Sequence, residues 1–96
     1  MKKPFPAYRG DDAYVFVCYS HADADVVFPE ISELNQHGIN IWYDEGISAG
    51  DNWRDSLANA IVSAERLVLY VSRASTASEN CMKEVSYAVE HKIPVI

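Results

Sequence analysis

Tyr14-Val15-Phe16-Val17-Cys18-Tyr19, running into Ser20-His21-Ala22-Asp23, is the stretch on which the reading of this chain turns. The first part is apolar, aromatic and β-branched without interruption. Continuous runs of that length, as opposed to alternating ones, suit a strand buried on both faces, as in a parallel sheet covered by helices. After Asp23 the period changes. Val27, Ile31 and Leu34 recur at i, i+4 and i+7, with Glu30 and Glu33 turned outward, which predicts a helix from Asp23 to His37. Pro29 predicts a late start or a kink in it. Gly38 is its expected C′ stop.

The same alternation continues downstream. Ile39 to Tyr43 is a second strand and Asp44 to Gly50 a loop. Asp51 is the expected N-cap of a helix whose face carries Trp53, Leu57 and Ile61. Leu67 to Val71 is a third strand, and Ser72 to Ser78 a small-polar loop. Ser78 caps a third helix with Met82, Val85 and Val89 on one face, and Ile93 to Ile96 opens a fourth strand. Strands alternating with helices of this length pair in parallel through right-handed crossovers. The expected fold is α/β, a flavodoxin-like doubly wound parallel sheet of strand order 2-1-3-4, incomplete at its C-terminal edge. Residues 1–12 read as a polar, proline-containing leader and residues 13–96 as the domain. No repeat or low-complexity tract interrupts them.

The 96 residues, 49% hydrophobic and 23% charged, suit one globular domain and exclude disordered and fibrous classes. No apolar run approaches the ~20 residues of a membrane span. The basic Met1-Lys2-Lys3 leads into prolines and not into the apolar core of a signal peptide. Fourteen acidic against eight basic residues give a net charge of −6, which argues against a nucleic-acid partner. Cys18 and Cys81 lack the spacing of a disulfide framework and suit a reducing cytoplasm, although a bridge between them stays open.

Several chemistries fail on spacing. There is no G-x-x-x-x-G-K-[ST] for a P-loop and no G-x-G-x-x-G after the first strand. A phosphoacceptor receiver of the same topology needs an aspartate at the end of strand three, where Tyr70-Val71-Ser72 stands. Cys18 and His21 share a C-x-x-H spacing, but no second pair answers it, so no metal is expected. Cys18 lies in a strand that looks buried, which disfavours a Cys–His nucleophile. His37 and His91 fall at predicted helix C-termini, where the dipole favours a cation. Ligands of doubly wound sheets bind at the C-terminal strand ends, here Tyr19 to Asp23, Asp44 to Asp51 and Ser72 to Ser78. The backbone N–H groups after Ser20 offer an anion site, although capping by Ser20 or Asp23 is the commoner use.

Three of these segments resemble Toll/interleukin-1 receptor (TIR) domains of the bacterial type. Phe16-Val17-Cys18-Tyr19-Ser20 is similar to the first box of that family. Trp42 through Asp51 resembles its second strand and BB loop, and Val71-Ser72 with Ser78 through Val85 its third strand and following helix. The resemblance covers Tyr14 to Ile96 but only the first two-thirds of a family domain; the fifth strand, last helix and third box have no counterpart.

The resemblance implies either assembly through TIR–TIR contacts or cleavage of NAD⁺, as substrate and not as cofactor, at its nicotinamide–ribose bond. The family's catalytic glutamate maps to Glu84, where a fixed carboxylate can stabilise the oxocarbenium character developing on the ribose. The alternative for Glu84 is a solvated helix residue. Tyr19, Ser20, His21, Asp44, Ser78 and Asn80 are the expected NAD⁺ contacts. Asn80 is a departure: it stands where many members carry an aromatic, four residues before the glutamate and on the same helix face. The BB loop, with Ile47 between Gly46 and Gly50, is expected to gate the site and to meet other TIR domains. The expected setting is a cytoplasmic, self-assembling protein with a C-terminal sensing module, active in signalling or anti-phage defence. A non-enzymatic TIR interaction module is the alternative, and an unrelated flavodoxin-like nucleotide binder is the third reading.

Overall fold

Three short strands pair as a parallel sheet in the computed structural model, which describes residues 4–44 and 53–96, with side chains of 53–56 excluded. Strand β1 (Val15–Cys18) lies between β2 (Ile41–Tyr43) and β3 (Arg66–Leu69), giving the order β2-β1-β3. Val15 sits opposite both Ile41 and Arg66, and Val17 opposite both Tyr43 and Val68. Residues 94–96 run parallel beside β3: the Leu67 N–H donates to the Pro94 carbonyl at 2.8 Å and the Ile96 N–H to Leu67 at 2.9 Å. A single bridge, Leu67 to Val95, marks this start of a fourth strand, in the place the order 2-1-3-4 requires.

The central strand is buried on both sides, as its unbroken apolar run predicts. Val17 and Tyr19 join one core with Val27, Phe28 and Ile31 of helix α1 (Ala24–Gln36). Phe16 and Cys18 join the other, with Ala60, Ile61 and Ala64 at the end of α2 (Trp53–Ser63) and Cys81 and Ala88 of a helix further on. That helix, α4 (Glu79–Glu90), follows a five-residue helix α3 (Arg73–Ala77).

Several expectations need correction. Helix α1 starts without delay at Ala24, behind a 3₁₀ turn at His21–Asp23, and carries Pro29 inside it. The missing proline N–H deprives only the Asp25 carbonyl, in the first turn of the helix, of its donor. The buried stripe of α1 is Val27, Phe28 and Ile31, while Leu34 is exposed. On α4 the buried positions are Cys81 and Ala88, and Val89 is 63% exposed, because small residues let the helix axis come close to the sheet. Ile39 does not belong to β2. Its N–H bonds back to Leu34 at 3.2 Å while that of Gly38 bonds to Asn35, a Schellman closure with Gly38 at φ +93°. The segment expected as a loop between Ser72 and Ser78 holds α3.

The expected cap at Asp51, the Trp53 side chain and the loop residues Glu45 to Gly50, Ile47 among them, lie outside the described residues. Near the N-terminus, Ala7 is buried and Phe5 packs edge-on against Tyr43, whose hydroxyl donates to the Phe5 carbonyl. The Tyr8 N–H donates to Ile41 at 2.9 Å, so residues 5–8 lie along the outer side of β2.

Candidate functional site

The C-terminal ends of β1 and β2 and the first turns of α4 face one another across a cavity of about 220 Å³. Each strand end contributes through local geometry. The chain leaves β1 at Tyr19, whose ring is buried against Phe28 and Tyr43 and whose hydroxyl donates to the Asp44 carbonyl at 2.6 Å. That bond ties the end of β1 to the end of β2. Ser20 accepts the Ala22 N–H at 3.3 Å and so caps the 3₁₀ turn. The exposed His21 ring lies 5.3 Å from that of Tyr19, and its Nε2 reaches Asp44 Oδ2 at 3.3 Å. Asp23 supplies no side-chain cap to α1; its Oδ2 instead accepts the Ser72 hydroxyl at 2.5 Å, tying this turn to the start of α3.

From the other side, Ser78 caps α4 by accepting the Cys81 N–H at 3.2 Å. Asn80 and Glu84, one turn apart, place both side chains on the cavity wall. All seven residues expected from the sequence, Tyr19, Ser20, His21, Asp44, Ser78, Asn80 and Glu84, thus line one cavity, joined by Val17 and Cys81. Much of the polar wall is already engaged: Tyr19 donates to the Asp44 carbonyl, His21 lies against the Asp44 carboxylate, and Ser20 and Ser78 each spend a hydroxyl lone pair on capping.

Glu84 is the electrostatically distinctive member. Burial pushes its carboxyl up to about 7; a hydrogen bond from the Cys18 thiol opposes that rise and the Asp44 carboxylate adds to it. Cys18 is fully buried behind the cavity, with Sγ 3.7 Å from the Cys81 carbonyl oxygen. Burial, then the charge of Glu84 and the neighbouring Cys81, drives its pKa far up, so it stays a thiol and a hydrogen-bond donor. Both cysteines are free. A nucleophilic thiolate is therefore not what this site offers; it offers a half-buried carboxyl that exchanges its proton near neutrality. Sequence reasoning set Cys18 aside as inert packing and missed its partnership with Glu84. The signal was present in the crossover topology, which lays α4 across the end of β1. Among the described residues no group of three His, Cys, Asp or Glu side chains is arranged to hold a metal, and no helix is long and apolar enough to cross a membrane.

The fold has known relatives. The family model for TIR domains matches residues 15–96. Among solved structures, the TIR domain of the Toll-related receptor TRR-2 from Hydra magnipapillata superposes with a TM-score of 0.73 at 19% identity, over 85% of this chain and 66% of that one. The TIR domains of the activated Roq1 resistosome, which directly recognizes the pathogen effector XopQ, superpose with a TM-score of 0.71 at 22% identity, over 88% of this chain and 55% of that one. The chain thus spans less than two-thirds of the length of either structure. No curated protein matches it in sequence.

Proposed function

This chain belongs to the TIR domain family, and we propose on that footing that it cleaves NAD⁺ at the nicotinamide–ribose bond, with Glu84 as the catalytic carboxylate. The observation that carries the reading is the position of Glu84: half-buried, on the wall of a cavity at the strand ends, poised between its two protonation states near pH 7. In the ionised state it faces the ribose and stabilises positive charge as the C1′–N1 bond breaks. Nicotinamide leaves with the bonding electron pair as a neutral molecule and needs no proton. Water then adds to C1′ and loses one proton, giving ADP-ribose, nicotinamide and H⁺; attack by a second site of the same molecule gives a cyclic product instead. Tyr19, Ser20, His21, Asp44, Ser78 and Asn80 form the surrounding wall and contact the substrate.

The Roq1 TIR domains belong to a resistosome. By analogy we take assembly with further TIR domains as the trigger, a C-terminal sensing module as its cause, and the cytoplasm as its setting. The decisive experiment is release of free nicotinamide from NAD⁺ by wild type and by Glu84→Gln. The expected result is turnover by wild type that falls at least ~100-fold in the variant. Equal turnover in a folded variant removes Glu84 from the mechanism. A second reading, an interaction module without catalysis, is favoured by Asn80, which leaves the wall without a stacking ring one turn before Glu84. Absence of nicotinamide release from the assembled protein establishes that second reading.

A further inference from the structure

Glu84 and Asn80 border two cavities. Behind the one at the strand ends, a larger cavity of about 440 Å³ opens between α2 and α4. Its character is different. Leu57 and Ile61 of α2 give it an apolar wall, and Tyr87 of α4 a ring held against His91 with centroids 4.2 Å apart. Its cation is Lys83, exposed at the rim and without an ion-pair partner among the described residues. Glu84 faces both spaces, and the smaller one adds the carboxylate of Asp44. The two spaces meet at Asn80 and Glu84; on either side of that shared wall one holds an ammonium and an apolar face, the other a second carboxylate.

That pairing matches a ligand that is itself polarised. A cavity of about 220 Å³ falls below the ~300 Å³ at which whole drug-sized ligands begin to be enclosed. It takes one end of a dinucleotide, and the cationic pyridinium end is the one its two acids attract. The pyrophosphate is repelled there and attracted by an unpaired ammonium. The base beyond it needs apolar and aromatic surface.

We propose that the α2–α4 cavity is the second half of the substrate site: Lys83 meets the pyrophosphate and Leu57, Ile61 and Tyr87 receive the adenosine, while the pyridinium riboside occupies the strand-end cavity. This rests on the NAD⁺-cleaving reading and fixes the direction in which the dinucleotide lies. Asn80 and Glu84 then flank the bond that breaks.

The test separates the two claims by using ligands without a scissile bond. ADP, inorganic pyrophosphate and, in a separate arm, nicotinamide riboside are titrated into the 96-residue chain and followed by backbone amide NMR. ADP is expected to shift the amides of Leu57, Ala58, Lys83 and Tyr87 and to bind more tightly than pyrophosphate. Lys83→Glu is expected to weaken ADP about tenfold or more and to leave nicotinamide riboside unaffected. Lys83 lies on the surface, so that variant keeps the fold. ADP binding that ignores Lys83→Glu, or that shifts amides elsewhere, overturns the proposal; equal affinity for ADP and pyrophosphate overturns the placing of the base. Nicotinamide release is measured on the same samples. ADP bound as described without nicotinamide release supports the cavity assignment and overturns cleavage. Cleavage with ADP indifferent to Lys83 does the reverse.

Discussion

Glu84 sits between opposed influences: burial and Asp44 favour its neutral form, while the Cys18 thiol favours the charged one. The balance has a thermodynamic sign. Its carboxyl titrates about 7 in the folded chain against 4.5 in the reference state, so the folded chain holds the proton longer. Stability is therefore lost as pH rises from below 4.5 through 7, and the loss is complete above that window. Glu84→Gln removes the ionisation. It is expected to leave stability unchanged near pH 4 and to raise it by about 1–3 kcal/mol at pH 8, after allowance for partial exposure, as denaturant melts at the two pH values will show. Under the proposed mechanism NAD⁺ cleavage is expected to run the other way, rising with pH as Glu84 ionises, which nicotinamide release measured across that window checks. Cys18 is testable by the same titration. Cys18→Ala deletes the donor and is expected to move the Glu84 midpoint upward in carboxyl-detected NMR, whereas Cys18→Ser retains a donor and keeps it at or below the wild-type value. An unchanged midpoint in Cys18→Ala removes the thiol from the account.

At the scale of elements, what was legible in the sequence was whatever one residue controls locally. Gly38 is at the αL position that ends α1, Ser78 caps α4, and His37 and His91 each cap a C-terminus by donating Nδ1–H to the carbonyl four residues back, at 2.8 and 2.9 Å. Illegible were features set by a reciprocal pair or by close approach. Helix α3 hides in a run of small polar residues because its capping box uses Ser75 in place of the usual Glu or Gln: Ser72 Oγ accepts from the Ser75 N–H at 2.9 Å, and Ser75 Oγ from the Ser72 N–H at 2.8 Å. The periodicity of α4 pointed to Val89, since a hydropathy pattern weights large side chains, whereas the sheet selected Ala88. Ser72 also holds Asp23, so Ser72→Ala is expected to lower stability by ~1–2 kcal/mol, and thermal melts of Ser72→Ala, Asp23→Ala and the double variant will show the two losses to be less than additive.

For the whole molecule, the sheet has two flanks and treats them differently. Beside β2 the segment from Phe5 to Tyr8 supplies a backbone hydrogen bond and an aromatic edge contact, so those residues are part of the stability of the domain. Phe5→Ala is expected to lower the unfolding free energy by about 1–3 kcal/mol with the fold intact, measured by urea titration. Beside β3 the cover is one bridge from residues 94–96, and Val71, Val95 and Ile96 remain exposed. That the candidate side chains share one cavity was legible because strand ends in this topology converge wherever the loops run; all of them come from those ends or from the helix that follows. The acid–thiol pair and the α2–α4 cavity were not, since both arise where elements distant in the chain touch face to face.

The pairing of Val15 with both Ile41 and Arg66 also governs how the molecule comes into being. Each partner of β1 is synthesised a full helix or more after it, and no hairpin can hold the strand while it waits. On the ribosome, β1 emerges first, gains β2 only after α1 has crossed over, and keeps its second edge bare until β3 follows. Such non-local pairing places folding toward the slower end for a chain of this size. The unbroken apolar run at the centre of the sheet is thus also the strand left longest without a neighbour, and its burial on both faces is completed only when the last of its partners has been made.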